Sequence, residues 1–297
     1  MTMRWIAYGV TAVLALLVTG AAPSAPNISF WDPAWSPDGK KIAFASTLND
    51  PGGSLDIYVM NAGGSNLRQL TDADHAETGP SWSPDGKKIA FQAYSHVDVM
   101  NADGTGRYRL VHNTSCCGPD WSPKGRRIAY TWYDEFKGKV YVVKPDGTGV
   151  AVVAAPPTRG NASYSYGLAT WSPDGQRIAF SAGTAADSNF VKPFVGIVSQ
   201  YRGRIKRLAR GHTIFSLDWS PNGRKILLVE DPVVNNPRSN DRISVLDVRT
   251  GKLRFLGQHA SYSARWSPDG RRIAYAWQNR LYVMNADGSY VRDLTPH

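Results

Sequence analysis

The chain has 297 residues and a formal charge of +10, with 42% hydrophobic and 11% aromatic content, 28 Gly, 19 Pro and 2 Cys. Hydrophobic content at that level suits a folded core with many turns, and two thiols without CxxC spacing do not support a structural zinc site. The basic doublets Lys40-Lys41, Lys87-Lys88, Arg126-Arg127 and Arg271-Arg272 recur at one place of a repeated phrase and no run of five like charges exists, which reads as solvated turn flanks rather than a nucleic-acid groove.

The first element is a leader. Arg4 precedes the uncharged stretch Ile6–Val18, and the small-residue sequence TGAAPSAPN follows. A charged start, an apolar middle and a small-residue exit make residues 1–25 a secretory signal, with cleavage expected between Ala21 and Ala25. An uncleaved anchor is the alternative, because Trp5–Ala22 carries no charge and lies at the short end of a spanning helix. Either way the rest of the chain is expected in the periplasm, in the cell envelope or secreted, with no membrane insertion once the signal is removed.

From residue 27 onward one unit repeats. WSPDGKKIAF stands at 35–44 and again at 82–91, followed by WSPKGRRIAY at Trp121, WSPDGQRIAF at Trp171, WSPNGRKILL at Trp219 and WSPDGRRIAY at Trp266. A second phrase alternates with it, as in DIYVMNAGGSNLRQLT and LYVMNADGSYVRDLT. Each unit reads as four strands. The first ends on the Trp, Ser-Pro-Asp-Gly turns the chain, IAF and IYVM form two strands covered on both faces, and Asn-Ala-Asp-Gly leads into a short fourth. Repeats of forty to fifty residues with four strands each predict an all-β fold, a six-bladed β-propeller over 27–297 with blades starting near Trp35, Trp82, Trp121, Trp171, Trp219 and Trp266. The Trp is expected to wedge between neighbouring sheets. The ring is expected to close by blade-to-blade packing with no exchanged strand, with NISF at 27–30 as a possible extra strand.

The alternation of WSPDGKKIAF with IYVMNADG…LT resembles the propeller repeats of the TolB family, a periplasmic component of the Tol–Pal envelope system. Similar repeats occur in the prolyl oligopeptidase and tricorn peptidases and in oligogalacturonate lyases. The resemblance covers the propeller part of TolB without its N-terminal α/β domain. It implies a cell-envelope protein that binds other proteins, and, through the lyases, a metal at the propeller.

The short uniform turns fall on one rim of such a ring and the irregular loops on the other, so binding is expected on the loop rim. Its candidates are His75, His112, Arg159, Tyr164, Tyr166, Arg210, His212, His259 and Tyr262. His75, His212 and His259 each stand seven residues before a repeat Trp and are the only metal candidates. Cys116 and Cys117 leave two readings open, a strained vicinal disulfide acting as a redox switch or an ordinary loop. Asp38, Asp85, Asp174 and Asp269 read as turn residues rather than catalytic carboxylates. No G-x-S-x-G, H-E-x-x-H or P-loop is present. The expectation is a monomeric, non-catalytic scaffold without cofactor that binds a protein or envelope polymer. The alternative is a metal-dependent polysaccharide lyase or hydrolase using the histidines.

Overall fold

The computed structural model describes residues 28–296 apart from 51–52, 113–115, 135–136, 157–163, 185–192, 200–202, 211–212, 232–240 and 261–262. The chain forms six sheets of four consecutive antiparallel strands, each in simple meander order. Blade 1 holds β1 (Phe30–Trp35), β2 (Lys41–Ser46), β3 (Asp56–Asn61) and β4 (Arg68–Gln69). Blade 2 holds β5 (Glu77–Trp82), β6 (Lys88–Ala93), β7 (His96–Asn101) and β8 (Tyr108–Val111). Blade 3 holds β9 (Cys116–Trp121), β10 (Ile128–Asp134), β11 (Lys137–Val143) and β12 (Ala151–Ala154). Blade 4 holds β13 (Tyr164–Trp171), β14 (Arg177–Thr184), β15 (Phe194–Ser199) and β16 (Lys206–Arg210). Blade 5 holds β17 (Thr213–Trp219), β18 (Lys225–Asp231), β19 (Arg242–Asp247) and β20 (Leu253–His259). Blade 6 holds β21 (Ala264–Trp266), β22 (Arg272–Trp277), β23 (Arg280–Asn285) and β24 (Arg292–Asp293).

The repeated phrase explains each blade's inner half. In blade 1, Ser36 O accepts from Gly39 N at 2.9 Å and Ser36 N donates to Lys41 O at 2.9 Å, which closes the turn. Gly39 takes φ +70° there, a conformation that excludes most side chains. Asp38 Oδ1 accepts from Ser36 Oγ at 2.6 Å and from Lys40 N at 3.0 Å. Asp85, Asp174 and Asp269 repeat these bonds. The recurring Asp is therefore a turn residue, as its position implies.

Strands β2 and β3 are buried almost throughout, whereas β4 and β24 are largely exposed. Continuous burial follows because each sheet is covered on both faces by its neighbours. The Trp of each phrase sits in the apolar core shared with the preceding blade: Trp82 with Ala43 and Ile57, Trp171 with Val140 and Val142. Trp82 Nε1 also donates to Ala34 O of blade 1 at 3.1 Å.

The ring closes by packing. Trp35, Phe44 and Tyr58 of blade 1 share a core with Ala274, Leu281 and Leu294 of blade 6. A Cβ at Gly39 would meet Pro268 at 3.8 Å, as one at Gly86 would meet Pro37 at 3.8 Å. The last blade thus meets the first as any blade meets its successor. Every sheet consists of its own four strands. Ser29 extends the edge of blade 1, its O accepting from Thr47 N at 3.3 Å.

Candidate functional site

The inner strands alternate, so every second residue faces the ring axis. Immediately before the six Trp stand Ala34, Ser81, Asp120, Thr170, Asp218 and Arg265. Two residues earlier stand Asp32, Gly79, Gly118, Leu168, Ser216 and Ser263. These two layers line two cavities on the axis, of 240 Å³ toward the turn rim and 180 Å³ toward the loop rim. Asp120 and Arg265 line both. They belong to blades 3 and 6, on opposite sides of a six-membered ring. Register shifts in β1, β5, β9, β13 and β17 mark a bulge beside the loop-side layer, and Asp32 and Leu168 take φ 48° and 42° there. Bulges re-aim side chains, and positive φ at non-Gly residues is costly enough to mark a site the fold over-determines.

All three channel carboxylates are also structural acceptors, Asp32 Oδ2 taking Gly79 N at 3.2 Å. Asp120 Oδ2 accepts from Trp171 N at 2.7 Å and from Thr170 Oγ1 at 3.1 Å. Asp218 Oδ2 accepts from Trp266 N at 2.7 Å. Each carboxylate thus ties its blade to the next. Arg265, the one cation of the layer, donates from Nη1 to Ser216 Oγ at 2.7 Å. Burial pushes the Asp218 carboxyl up to about 7, the Asp120 charge adding to the effect and Arg265 opposing it. Asp120 is raised as well, chiefly by burial.

The loop rim is uneven. In blades 1, 4 and 5 the connections between second and third strands are long, spanning 47–55, 185–193 and 232–241. In blades 2, 3 and 6 two residues suffice, 94–95, 135–136 and 278–279. Tyr94, at one of these tight turns, is 70% exposed. His75 packs edge-on to it with ring centroids 6.2 Å apart, and His96 lies 6.2 Å away on another side. His75 therefore joins a cluster in blade 2 and lines neither channel cavity.

That cluster is where blade 2 departs from the repeat. At the matched positions of β2 and β3, blades 1, 3 and 6 stack Phe44 on Tyr58, Tyr130 on Tyr141 and Tyr275 on Tyr282. In blade 2, Phe91 faces Asp98. The Arg107 guanidinium lies 5.1 Å over the Phe91 ring and takes the place of the missing aromatic. It pairs with Asp98 Oδ2 at 2.7 Å and with the fully buried Glu77 at 2.6 Å. His96 Nε2 stands 3.5 Å from Asp98 Oδ1, and His75 Nε2 stands 3.9 Å from Glu77 Oε1. Burial raises the Glu77 carboxyl and lowers the His96 imidazolium.

Among the remaining sequence candidates, His112 is exposed just beyond β8. Tyr164 and Tyr166 lie in β13, Arg210 ends β16 and His259 ends β20, while Cys116 and Cys117 open β9. The side chains of these six, and all of Arg159, His212 and Tyr262, lie outside the described residues. Among the described residues no three His, Cys, Asp or Glu side chains stand together as a metal centre.

A family model described as the TolB beta propeller domain matches residues 14–96. TolB from Acinetobacter baumannii has the same fold with TM-score 0.66 and 19% identity, over 91% of this chain and 63% of that one. An Agrobacterium tumefaciens protein assigned as TolB gives TM-score 0.63 and 20% identity, over 77% of this chain and 84% of that one. The fold is a TolB-like six-bladed propeller. An oligogalacturonate lyase from Vibrio parahaemolyticus shares it, with TM-score 0.59 and 13% identity over 92% of this chain and 80% of that one. No curated protein matches the sequence. The chain spans less than two thirds of the Acinetobacter protein, so what the TolB-like propeller does has to be argued from its own residues.

The axial residues, and the blade 2 cluster apart from His75, escaped the sequence reading. Their signal was in the letters: alternate residues before each Trp, and the one third strand that carries Asp where three of its siblings carry Tyr.

Proposed function

We propose that this protein is an exported, non-catalytic scaffold that binds a protein or cell-envelope polymer at the loop-side mouth of its channel. The observation that carries the reading is the contrast between two sets of residues. The repeated letters are consumed in turns and cores, whereas the loop-side cavity brings together Asp32, Thr78, Gln92, Ser216 and Arg265, a mixed polar set that differs from blade to blade. A rigid ring presenting non-repeating polar groups at one mouth is a binding layout. The channel carboxylates Asp120 and Asp218 hold backbone N–H groups, a role that keeps them in place as acceptors. Export rests on the leader-like residues 1–25. Arg159, Tyr164, Tyr166, Arg210, His212, His259 and Tyr262 belong to the same rim in this proposal, and His75, His112 and exposed Tyr94 extend it over blade 2.

Immobilised protein incubated with an envelope extract tests this directly. Retention of a partner by the wild type and its loss in Thr78→Trp, which fills the loop-side cavity, is the expected outcome. Equal retention by both, or none by the wild type, contradicts the proposal. The enzyme reading draws on the blade 2 cluster, where His75 Nε2, His96 Nε2 and Asp98 Oδ1 have no hydrogen-bond partner among the described residues, although no three of its side chains stand together as a metal centre. Metal analysis of the purified protein decides it. A bound divalent metal lost on His96→Ala would favour a lyase or hydrolase.

A further inference from the structure

The third Ser-Pro-x-Gly turn breaks the pattern of the other five. In four copies the x side chain is an Asp whose Oδ1 accepts from the turn Ser hydroxyl at 2.5–2.6 Å and from the backbone N–H two residues on. Asn222 does the same in the fifth blade, at 2.9 and 3.1 Å. Those donors favour negative charge: the Asp38, Asp85 and Asp269 carboxyls are held below the usual range, first by the Ser hydroxyl and then by the backbone N–H. In blade 3 the position is Lys124. Ser122 Oγ still accepts from Arg127 N at 3.0 Å, so the turn itself is intact. Its hydroxyl hydrogen and the Arg126 N–H, however, meet no acceptor among the described residues.

Cations gather around this pair of donors. Lys124, Arg126, Arg127 and Lys144 line one cavity of 310 Å³ between blades 3 and 4, together with Ser122 and Gln176. The second basic residue of the phrase stacks on the next blade's Trp in two other blades, Arg177 over Trp219 at 5.0 Å and Arg272 over Trp35 at 4.7 Å. Arg127 makes no such stack on Trp171. The turn carboxylates of blades 3 and 4 are engaged in their own turns. Asp146 accepts from Thr148 N and Oγ1 at 2.9 and 2.7 Å, and Asp174 from Ser172 Oγ and Gln176 N at 2.5 and 2.9 Å. Asp174 Oδ2 also stands 3.4 Å from Arg177.

We propose that the turn rim between blades 3 and 4 is a binding site for an external oxyanion, a phosphate or carboxylate group that takes the hydrogen bonds the turn Asp takes elsewhere. Four cations with two N–H and O–H donors suit a singly or doubly charged group. The cavity admits the sugar ring of a sugar phosphate or uronic acid. The site lies on the rim opposite the loop-side mouth, so its failure would leave the scaffold reading untouched.

Calorimetric titration of the full chain at low ionic strength with inorganic phosphate, galacturonate and neutral galactose tests the proposal. The two anions bind and galactose does not; phosphate without galacturonate narrows the ligand to phosphate esters, and the reverse to uronates. Lys124→Asp supplies the consensus carboxylate from within, so it folds with undiminished thermal stability and weakens anion binding by about tenfold or more. Lys87→Asp changes net charge equally on another blade and leaves binding intact. Absence of anion binding in the wild type, or equal weakening by Lys124→Asp and Lys87→Asp, would overturn the site and leave only diffuse attraction to a basic rim.

Discussion

At the scale of single residues, the same side-chain type does different work according to its position relative to the Trp. An Asp three residues after a Trp closes a turn in water; an Asp just before one hangs in the channel and ties two blades together. Asp218 shows the consequence for pH. Its carboxyl is pushed from an ordinary 3.8 up to about 7, so the folded protein keeps a proton that the unfolded chain has already released. The stability it contributes is full below the unfolded value and is lost as pH rises through 7. Asn at this position keeps an acceptor for Trp266 N without a charge to bury. Asp218→Asn should therefore flatten the fall in thermal midpoint between pH 5 and pH 8, as followed by circular dichroism. An unchanged profile would mean that another group titrates there.

At the scale of strands, the blades are variations on one cross-strand pair. Tyr on the third strand stacks on an aromatic of the second in blades 1, 3 and 6, and blade 2 substitutes an ion cluster. Removing Arg107 would leave Glu77 buried without its cation and Asp98 with only Arg109, whose Nε stands 3.9 Å from Oδ1. Arg107→Ala should cost about 3 kcal/mol, read as a lower urea midpoint. Blade 4 uses a third solution. Gly196 faces Phe180, and a Cβ there would come within 2.5 Å of the ring. Gly196→Ala should therefore destabilise by about 1–3 kcal/mol through overpacking, and wild-type stability would show that Phe180 can move aside. The strands themselves were legible because the phrase repeats: Trp ends, Pro and Gly turn, and apolar runs mark covered sheets. The blade 2 cluster was not, because a search for repeated letters passes over the copy in which Asp98 stands for Tyr. The long loops of blades 1, 4 and 5 were legible as irregular sequence, but which residues face the axis depends on bulges that composition does not announce.

At the scale of the whole molecule, closure turns six weak sheets into one body. Among the described residues no strand crosses between the ends, so the seam depends on side chains such as Leu294, which is 5% exposed in the core that blade 6 shares with blade 1. Leu294→Ala should cost about 2–5 kcal/mol while unfolding stays a single transition. Separate transitions would indicate that the seam opens before the blades melt. The two rims then divide the labour, with uniform turns on one and non-repeating groups at the channel mouth of the other. The most direct test places a photo-crosslinking amino acid at Gln92 or Tyr94 on the loop rim, and at Lys87 or Lys225 on the turn rim, followed by illumination in envelope extract. The account predicts adducts to a macromolecular partner from the loop-rim positions alone; adducts from the turn-rim positions alone, or equally from both, would contradict it.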